Sequence, residues 1–317
     1  MEYRAVLLDL DYDGLMELSG VDDANIKALE KLYATAIVIR DDEIKILTDK
    51  ESVYRLFEKH IDSLVHLIKN HQHIDIEILK RSYEAVKSDD KVYYDDLHRK
   101  ILIQDFNNRP IRAKTIGQMR LVKAIEDATV TIVDGPAGSG KTYLAVVMAI
   151  KALKSDKIKK IVLTRPVVEA GESLGFLPGD LKEKVDPYLM PLYDALDELL
   201  GHERTETLIE RKIIEIIPLA YMRGRSLNDA FIILDEAQNT TSMQMFMFLT
   251  RLGHDSKMVI TGDLSQIDRI TNKNDVSGLK DAIGKLQALE DIQIVSLKGA
   301  DVVRHPLVRE IIERYDH

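Results

Sequence analysis

The chain has 317 residues, 45% of them hydrophobic and 31% charged, which is the balance of a globular protein with a sizeable core. It contains no cysteine, and this excludes disulfide scaffolds, thiolate metal sites, iron–sulfur clusters and a cysteine nucleophile. The formal net charge of −9 excludes a generally basic nucleic-acid binder, so any contact with RNA or DNA would need a local basic surface.

Residues 1–88 predict a small α+β domain. The first residues lack a secretory signal pattern, and no apolar run approaches the ~20 residues that span a bilayer, so we expect a cytoplasmic protein. The patterning indicates a strand at Arg4–Leu10, at most a short helix at Tyr12–Ser19, and a helix with an apolar stripe of Ile26, Leu29 and Leu32. Two hairpin strands, Ala36–Arg40 and Glu43–Leu47, follow, and then a longer helix with an apolar stripe from Val53 to Leu67.

Two local features of this region carry expectations of their own. Asp22 or Asp23 is expected to cap the second helix, because a carboxylate can accept from the free N–H groups of a first turn. His71 and His73 alternate in a polar stretch without the carboxylate–histidine pattern of a metal site, so we predict no metal there.

Residues 89–112 predict a polar linker with one short strand, Ile101–Ile103. The acidic charge of the chain is concentrated in residues 1–105. Residues 1–105 carry 15 Lys and Arg against 23 Asp and Glu.

Residues 113–317 predict an α/β domain with a doubly wound parallel sheet, because nearly all-apolar strands alternate with helices. The predicted strands are Thr129–Val133, Lys160–Thr164, Ile213–Ile217, Ala230–Leu234, Lys257–Thr261 and Ile292–Ser296. The predicted helices are Lys141–Leu153, helices within 180–212, Ser242–Leu252, one near 275–289 and Pro306–Tyr315. In the helix Ser242–Leu252, a core-facing stripe is predicted from helical spacing for Met243, Phe246, Met247 and Thr250.

A glycine-rich motif follows the first strand of this domain. It matches G-x-x-x-x-G-K-[ST] and comprises Gly135, Pro136, Ala137, Gly138, Ser139, Gly140, Lys141 and Thr142, with Tyr143 next. Such a loop turns its backbone N–H groups toward phosphate oxygens, its lysine reaches the β- and γ-phosphates, and its hydroxyl binds Mg²⁺. The strand before it and the helix after it are the context that this motif requires, so we predict a nucleoside triphosphate site.

Two adjacent carboxylates follow the strand Ala230–Leu234. Asp235 would hold Mg²⁺, directly or through water, and Glu236 would polarise the attacking water. An acidic residue directly after the metal-binding aspartate favours hydrolysis over simple nucleotide holding. We therefore predict Lys141, Asp235 and Glu236 as catalytic residues, and Thr142 and Asp235 as metal ligands.

Polar residues also end the strand Lys257–Thr261. Side chains at the tip of a parallel strand can sense the γ-phosphate, so Asp263 and Gln266 are predicted nucleotide contacts. This segment resembles the third motif of superfamily-1 helicases, GDxxQ. Gln118 lies 23 residues before Lys141, and a glutamine placed similarly in those helicases contacts adenine.

Larger blocks of sequence resemble the PhoH family, PhoH-like ATPases that are related to superfamily-1 helicases. The resemblance covers essentially all of residues 110–317, including Gln118 and the following blocks: GPAGSGKTYLA at 135–145, LTRPVVEAGESLGFLPGDLKEKVDPYLMPLYDAL at 163–196, PLAYMRGRSL at 218–227, FIILDEAQN at 231–239, TGDLSQID at 261–268 and DVVRHPLV at 301–308. It implies a RecA-like core that hydrolyses ATP with Mg²⁺, ring-forming oligomers expected to be hexamers, and a role in RNA metabolism. The family is widely described as ATP-dependent RNA helicases, and its genes often accompany that of an rRNA-maturation endoribonuclease, which is an expected partner.

The resemblance also raises the question of an arginine finger. A processive superfamily-1 helicase normally has two RecA-like domains and this sequence predicts one, so the finger would come most simply from a neighbouring subunit. Arg304 is the first candidate, because its position after the last strand resembles the later arginine motif of helicases. Arg165, Arg223 and Arg225 are the alternatives.

The order of elements in residues 1–88 resembles a KH domain, whose GxxG loop clamps four nucleotides of RNA. Here the corresponding loop is Gly20-Val21-Asp22-Asp23, so an aspartate replaces the second glycine. Its carboxylate would repel the phosphodiester backbone. We expect a KH-like fold without ordinary clamping of RNA, and a small oligomerisation or docking domain is the alternative.

Three functions fit these motifs. The leading one is an RNA-dependent ATPase that remodels or unwinds RNA, and the second is an ATP-driven protein switch or assembly factor. The third, a small-molecule phosphotransferase, is weakened because the Asp235-Glu236 pair and the motif at 261–268 suit water activation and γ-phosphate sensing. The sequence also lacks an evident lid or acceptor-substrate motif.

Overall fold

The structure, a computed structural model, describes residues 2–87, 100–166, 181–266, 276–303, 307–308 and 314. Contacts divide the chain into two compact units, Met1–Arg99 and Lys100–His317. Arg304 and most of the predicted helix Pro306–Tyr315 lie outside the described residues. Within the described ranges, no helix is long and apolar enough to cross a membrane.

The N-terminal unit is a small α+β fold with its elements in the predicted order, followed by one more helix. The elements are β1 (Tyr3–Leu7), α1 (Tyr12–Ser19), α2 (Ala24–Tyr33), β2 (Ile37–Arg40), β3 (Glu43–Leu47), α3 (Glu51–Lys69) and α4 (Ile76–Lys87). The three strands form an antiparallel sheet in the order β1-β3-β2. Sequence patterning missed α4, because Ser82 interrupts the buried stripe that Leu79 and Val86 form.

The start of α2 differs from the expected cap. Asp23 occupies the N-cap position, but its side chain makes no capping hydrogen bond. Asp22 and Asp23 have φ values of 52° and 57°, in the left-handed region, whereas a capping residue usually adopts extended backbone. The left-handed backbone therefore accounts for the missing side-chain cap.

The second unit has a RecA-like α/β core. Its strands are β4 (Ile103–Gln104), β5 (Pro110–Ile111), β6 (Val130–Asp134), β7 (Lys160–Arg165), β8 (Ile214–Pro218), β9 (Ala230–Leu234), β10 (Lys257–Gly262) and β11 (Ile292–Ser296). Its helices are α5 (Ile116–Asp127), α6 (Lys141–Lys154), α7 (Leu181–Leu200), α8 (His202–Glu210), α9 (Ser242–Leu249) and α10 (Gly278–Leu286). The predicted strand Ile101–Ile103 is shifted: β4 begins at Ile103 and pairs with β5, in a two-stranded antiparallel sheet.

Six parallel strands form the central sheet in the order β11-β6-β10-β9-β7-β8. All five residues of β9 are buried, as expected for a parallel strand covered on both faces. Because the strands are parallel, the residues that follow them meet at one edge. The glycine-rich loop after β6, the aspartate after β9 and the polar loop after β10 are therefore brought together.

The predicted core stripe of α9 is wrong at three of its four residues: Met243, Phe246 and Thr250 are exposed, whereas Met247 packs, partly buried, against the core. Met243 and Phe246 are 80% and 69% exposed, and the buried side chains of this helix are Met245 and Phe248. Nearly every residue of α9 is apolar, so helical spacing alone fits more than one face. Packing against the sheet selects the face that carries Met245 and Phe248.

Candidate functional site

The glycine-rich loop adopts a tight turn directly before α6. Gly138 and Gly140 have φ values of 81° and 82°, which side chains with a Cβ rarely adopt, so glycine is required at both positions. Ser139 is fully buried, and its hydroxyl donates to the carbonyl of Pro136 at 2.7 Å. This bond closes the loop on itself before the helix begins at Lys141.

The Lys141 side chain is held inside the loop. Its ammonium donates to the carbonyl oxygens of Gly135 at 2.6 Å and Pro136 at 3.0 Å. Burial lowers the pKa of Lys141, and the nearby carboxylates of Asp263 and Asp235 counteract part of that shift. The backbone carbonyls thus hold the cation inside the glycine-rich loop.

Asp235 is the centre of a hydrogen-bonded cluster at the end of β9. It is 3% exposed, and its Oδ1 accepts from the hydroxyls of Thr142 at 2.5 Å and Thr261 at 2.6 Å. Mg²⁺ prefers oxygen ligands and needs few from the protein, because waters and phosphates complete its shell. Two adjacent oxygens, from Thr142 and Asp235, therefore fit a magnesium ion shared with a nucleotide.

Arg165, at the end of β7, bridges both carboxylates of this site. Its Nε lies 3.0 Å from Asp235 Oδ2, and its Nη2 lies 2.8 Å from Glu236 Oε1. Its Nη1 donates to the carbonyl of Tyr188 in α7 at 2.9 Å. Two carboxylates of the same chain neutralise its charge, which argues against Arg165 as a finger for a neighbouring subunit.

Glu236 has an unusual backbone and two occupied carboxylate oxygens. Its φ of 53° lies in the left-handed region, a strained conformation that functional sites often retain. Oε1 accepts from Arg165, and Oε2 accepts from the amide of Gln238 at 2.5 Å. Gln238 in turn accepts from the backbone N–H of Asp263 at 3.1 Å, so it links the loops after β9 and β10.

The loop after β10 contributes one buried and one exposed polar residue. Asp263 is 6% exposed, and its Oδ1 accepts from the N–H and hydroxyl of Ser265. Its Oδ2 is buried and has no hydrogen-bond partner among the described residues. Gln266 is exposed and lines the same cavity.

A cavity of about 250 Å³ unites most of the predicted site. It is lined by Ala137, Gly138, Gly140, Lys141, Thr142, Tyr143, Asp235, Glu236, Gly262, Asp263 and Gln266. Gly135, Pro136 and Ser139 belong to the same loop but do not line the cavity; their carbonyls accept hydrogen bonds, and the Ser139 hydroxyl donates one. The structure thus brings the three strand-end motifs together.

Gln118 has a structural position behind the glycine-rich loop. Its Nε2 donates to the carbonyl of Ser139 at 2.9 Å, and its Oε1 accepts from the N–H of Lys114 at 2.7 Å. It is 4% exposed, and both ends of its amide are used. It also borders a neighbouring cavity of about 520 Å³, together with Tyr143, whose hydroxyl donates to Glu198 at 3.1 Å.

Asp301 is a site-supporting residue that sequence reasoning missed. Its Oδ1 accepts from the hydroxyl of Thr115 at 2.6 Å and the N–H of Gly117 at 3.2 Å, which fixes the start of α5. Two residues later, Val303 donates its N–H to the carbonyl of Gly138 at 3.0 Å. A lone aspartate 184 residues from Gly117 gives no sequence signal for this contact.

The alternative finger candidates of the sequence differ in their contacts. Arg225 forms two bonds to the carboxylate of Glu215, at 2.8 and 3.0 Å. Arg223 is exposed and has no ion pair within the described residues. Arg304, the first candidate, lies outside those residues and directly follows Val303.

Comparison with known proteins identifies the family. The model of the PhoH-like protein family matches residues 110–316. The chain is 50% identical over 304 residues to the PhoH-like protein of Bacillus subtilis (strain 168), covering 96% of this chain and 94% of that protein. The chain belongs to the PhoH-like family. A second member, the PhoH-like protein of Mycobacterium bovis (strain ATCC BAA-935 / AF2122/97), is 44% identical over 311 residues, covering 97% and 86% of the two chains.

Solved structures resemble this PhoH-like protein more distantly. The Pif1 helicase from Candida albicans shares 15% identity with a TM-score of 0.33, covering 63% of this chain and 42% of that chain. Membership of the PhoH-like family, together with the phosphate loop and the carboxylates after β9, supports nucleotide binding and hydrolysis in general.

Proposed function

We propose that this PhoH-like protein is a Mg²⁺-dependent ATPase that forms a ring and couples ATP hydrolysis to the binding and remodelling of RNA. The observation that carries the proposal is the convergence of Lys141, Thr142, Asp235 and Glu236 on one cavity. A phosphate loop, a metal-binding pair and a water-polarising carboxylate are the parts that ATP hydrolysis needs.

Nucleotide binding would exchange the partners of Lys141. Its ammonium would leave the carbonyls of Gly135 and Pro136 for the β- and γ-phosphates, aided by the inward N–H groups of the loop. Thr142 and Asp235 would hold Mg²⁺, which supplies neutralisation of phosphate charge when it is bound. Asp263, with its unpartnered buried Oδ2, would face the same phosphate end of the cavity.

Water activation would be helped by a change at Glu236. Oε1 already accepts from Arg165 and Oε2 from Gln238, so part of the lone-pair capacity that a general base offers to water is in use. Release of Oε1 by Arg165 would free the carboxylate to take the proton. Arg165 would then be available to contact the negative charge of the nucleotide phosphates.

Coupling to RNA would pass through the loop after β9. Glu236 bonds Gln238, and the Gln238 carbonyl accepts from the hydroxyl of Ser277 at 2.8 Å, directly before α10. Thr241 caps α9 in a reciprocal capping box with Gln244. A change of partner at Glu236 therefore has a short hydrogen-bonded route to the ends of two surface helices.

The ring is proposed because a finger would complete the site from a neighbouring subunit, with Arg304 as the first candidate. Arg304→Ala and Glu236→Gln are each expected to be nearly inactive. After subunit exchange, roughly a quarter of randomly mixed interfaces would have both groups intact, and activity should recover to that fraction or less. Because no mixed subunit has both groups, an Arg304 that served its own site would give no recovery.

For the N-terminal unit we propose a KH-like domain that does not clamp RNA through the loop Gly20–Asp23 and serves instead for docking. The β1-β3-β2 order and the exposed carboxylates of Asp22 and Asp23 support this assignment. Asp23→Gly would recreate the second glycine of the loop at a backbone that glycine tolerates. Unchanged RNA affinity in this variant is expected, and a large gain would favour a clamp that Asp23 suppresses.

The test of the main proposal is ATP hydrolysis with and without single-stranded RNA, in the presence and absence of Mg²⁺. Wild-type protein should hydrolyse ATP only with the metal and faster with RNA, and Glu236→Gln should bind ATP without turnover. Hydrolysis that RNA leaves unchanged would favour the second function, an ATP-driven protein switch. In that case the rRNA-maturation endoribonuclease that the family resemblance implies is the first protein partner to test.

A further inference from the structure

Two segments beside the sheet contain no acidic residues of their own, although Asp281 of α10 forms a hydrogen bond with the hydroxyl of Ser242. Residues 216–228 and 237–254 contain no Asp or Glu, although the whole chain has 53 of them. The segments pack along each other: Leu227 donates its N–H to the carbonyl of Arg251, and Gly253 donates to the carbonyl of Leu227, both at 3.0 Å. Their exposed side chains therefore lie on adjoining parts of the surface, called here the acid-free surface.

Large apolar side chains project from the acid-free surface. Tyr221 is 56% exposed, Phe246 is 69% exposed and Met243 is 80% exposed. The core side of each element is filled by other residues, since Met222 and Phe248 are fully buried. The exposed aromatic rings thus have no role in the core, and they are available to a partner.

The charge of the acid-free surface is positive. Arg251 donates to the carbonyls of Met247 and Arg225 and to the hydroxyl of Thr250, so all of its described partners are neutral oxygens. Arg225 and Lys160 share the single carboxylate of Glu215.

Arg223 adds an exposed charge with no ion pair among the described residues. These cations outnumber the one carboxylate that they contact, so the surface would attract a polyanion even though the chain as a whole is acidic.

The acid-free surface begins at the edge of the sheet that carries the nucleotide cavity. Tyr221 lies in the turn Leu219–Met222, directly after β8, and Met243 lies in the first turn of α9. The loop before α9 carries Glu236 and Gln238. A polyanion bound on this surface would therefore contact α9, the helix that follows the proposed water-activating loop.

We propose that the acid-free surface binds single-stranded RNA, with bases stacking on Tyr221 and Phe246 and phosphates contacting Arg223 and Arg251. Aromatic platforms beside uncompensated cations are the means by which proteins hold single strands without sequence preference. The inference rests on the proposed coupling to RNA and assigns its site. It also provides the local basic surface that a chain of net charge −9 requires.

The test measures the affinity of a mixed-sequence single-stranded RNA for the full chain by fluorescence anisotropy, with a non-hydrolysable ATP analogue. Tyr221→Ala and Phe246→Ala should each weaken binding about tenfold, and Phe246→Tyr should keep it, because an aromatic ring is retained. Leu289→Ala removes an exposed apolar side chain elsewhere in the same unit and should change nothing. ATP affinity and basal hydrolysis should stay at wild-type level in these variants.

Salt dependence separates the charged contact from the stacked ones. Arg223→Ala should reduce the slope of log affinity against log salt by about 1, whereas Phe246→Ala should leave the slope unchanged. Arg211→Ala, an exposed cation outside the surface, is the matched control. An equal change of slope in the Arg211 and Arg223 variants would overturn the assignment of the phosphate contact.

The outcomes distinguish this inference from the proposed function. Absence of RNA binding by the wild-type protein would contradict the proposed coupling of ATP hydrolysis to RNA itself. RNA binding that is unchanged in all the surface variants would overturn the assignment of the acid-free surface as the binding site and leave the proposed coupling to RNA intact. Altered oligomeric state in the variants, with RNA affinity unchanged, would assign the surface to contacts between copies. A DNA strand held equally tightly and lost in the same variants would overturn the choice of RNA.

Discussion

In the N-terminal unit, the buried polar side chains His60, Ser63 and Ser82 lie on α3 and α4, two helices that pack together. In the second unit, the buried polar side chains of Lys141, at the start of α6, and Asp235, directly after β9, line a cavity. The His60 ring contacts the hydroxyl of a neighbouring tyrosine, whereas Asp235 lies among hydroxyls and a guanidinium.

The difference shows how burial acts on a charge with and without a counter-ion. Burial lowers the pKa of His60 to about 4, so the ring is neutral at physiological pH. Lys141 is also desolvated, but the carboxylates of Asp263 and Asp235 favour its charged form. The buried histidine without a counter-ion is neutralised, whereas carboxylates around the buried lysine oppose the effect of its desolvation.

The largest expected effect tests the charges of the cavity. Lys141→Ala should abolish detectable ATP binding, because it removes the cation that would neutralise the β- and γ-phosphates. Glu236→Gln should keep binding and lower turnover by about 10²–10⁴-fold, the usual contribution of a general base. Equilibrium binding and steady-state hydrolysis measure the two separately. Wild-type turnover by the Glu236 variant would refute its assignment as the water-polarising residue.

The second prediction concerns the counter-ion of the carboxylates. Arg165→Ala should lower the free energy of unfolding by about 3 kcal/mol without metal, because Asp235 stays buried without its cation. Added Mg²⁺ should restore more stability to this variant than to wild type, since the divalent ion replaces the lost charge. Thermal unfolding with and without Mg²⁺ measures both effects. Arg225→Ala, which breaks the ion pair to Glu215, is the control and should show no extra recovery with Mg²⁺.

A smaller effect is expected at the neutral histidine. The folded pKa of His60 is about 4 and the unfolded value is ~6.5, so the unfolded chain binds the extra proton between these values. The free energy of unfolding of the N-terminal unit should therefore fall by about 1.5 kcal/mol from pH 6.5 to pH 5. Urea unfolding of wild type and His60→Gln at both pH values measures it, and the variant should lose this dependence. The same loss in both proteins would assign the acid sensitivity to other groups.

The smallest expected effect distinguishes two roles of Gln118: support of the phosphate loop and recognition of the adenine base. Its amide bonds the backbone of Ser139 and Lys114, so Gln118→Ala should loosen the phosphate loop and weaken nucleotide binding several-fold, about 1 kcal/mol. ATP and GTP should lose affinity by the same factor, because the loop contacts phosphates in both. Competition binding with the two nucleotides provides the measurement. A loss confined to ATP would instead support the adenine contact that the helicase resemblance implies.

Much of the second unit follows from local sequence. Strand β9 occurs at the predicted residues, because an unbroken apolar run specifies a buried strand without reference to its neighbours. Strand β11 also has the predicted bounds, although Gln293 interrupts its apolar residues and the strand is only partly buried. The glycine-rich loop is equally local, since positive φ at Gly138 and Gly140 and the following helix define it. Helix α9 shows the limit of such reasoning: its apolar residues cover every side, and the sheet decided which were buried.

The sequence by itself determined the α/β class, the phosphate loop and the strand-end carboxylates, because each depends on residues that are adjacent in the chain. The tertiary structure decided which side chains pair across the site. Arg165 meets Asp235 across 70 positions and Asp301 meets Gly117 across 184 positions. No periodicity encodes such pairs, because a long-range polar contact is selected by sheet order and by the need of each buried charge or donor for a partner. The acid-free surface has the same origin, since two segments poor in acidic residues become one surface only when the chain folds.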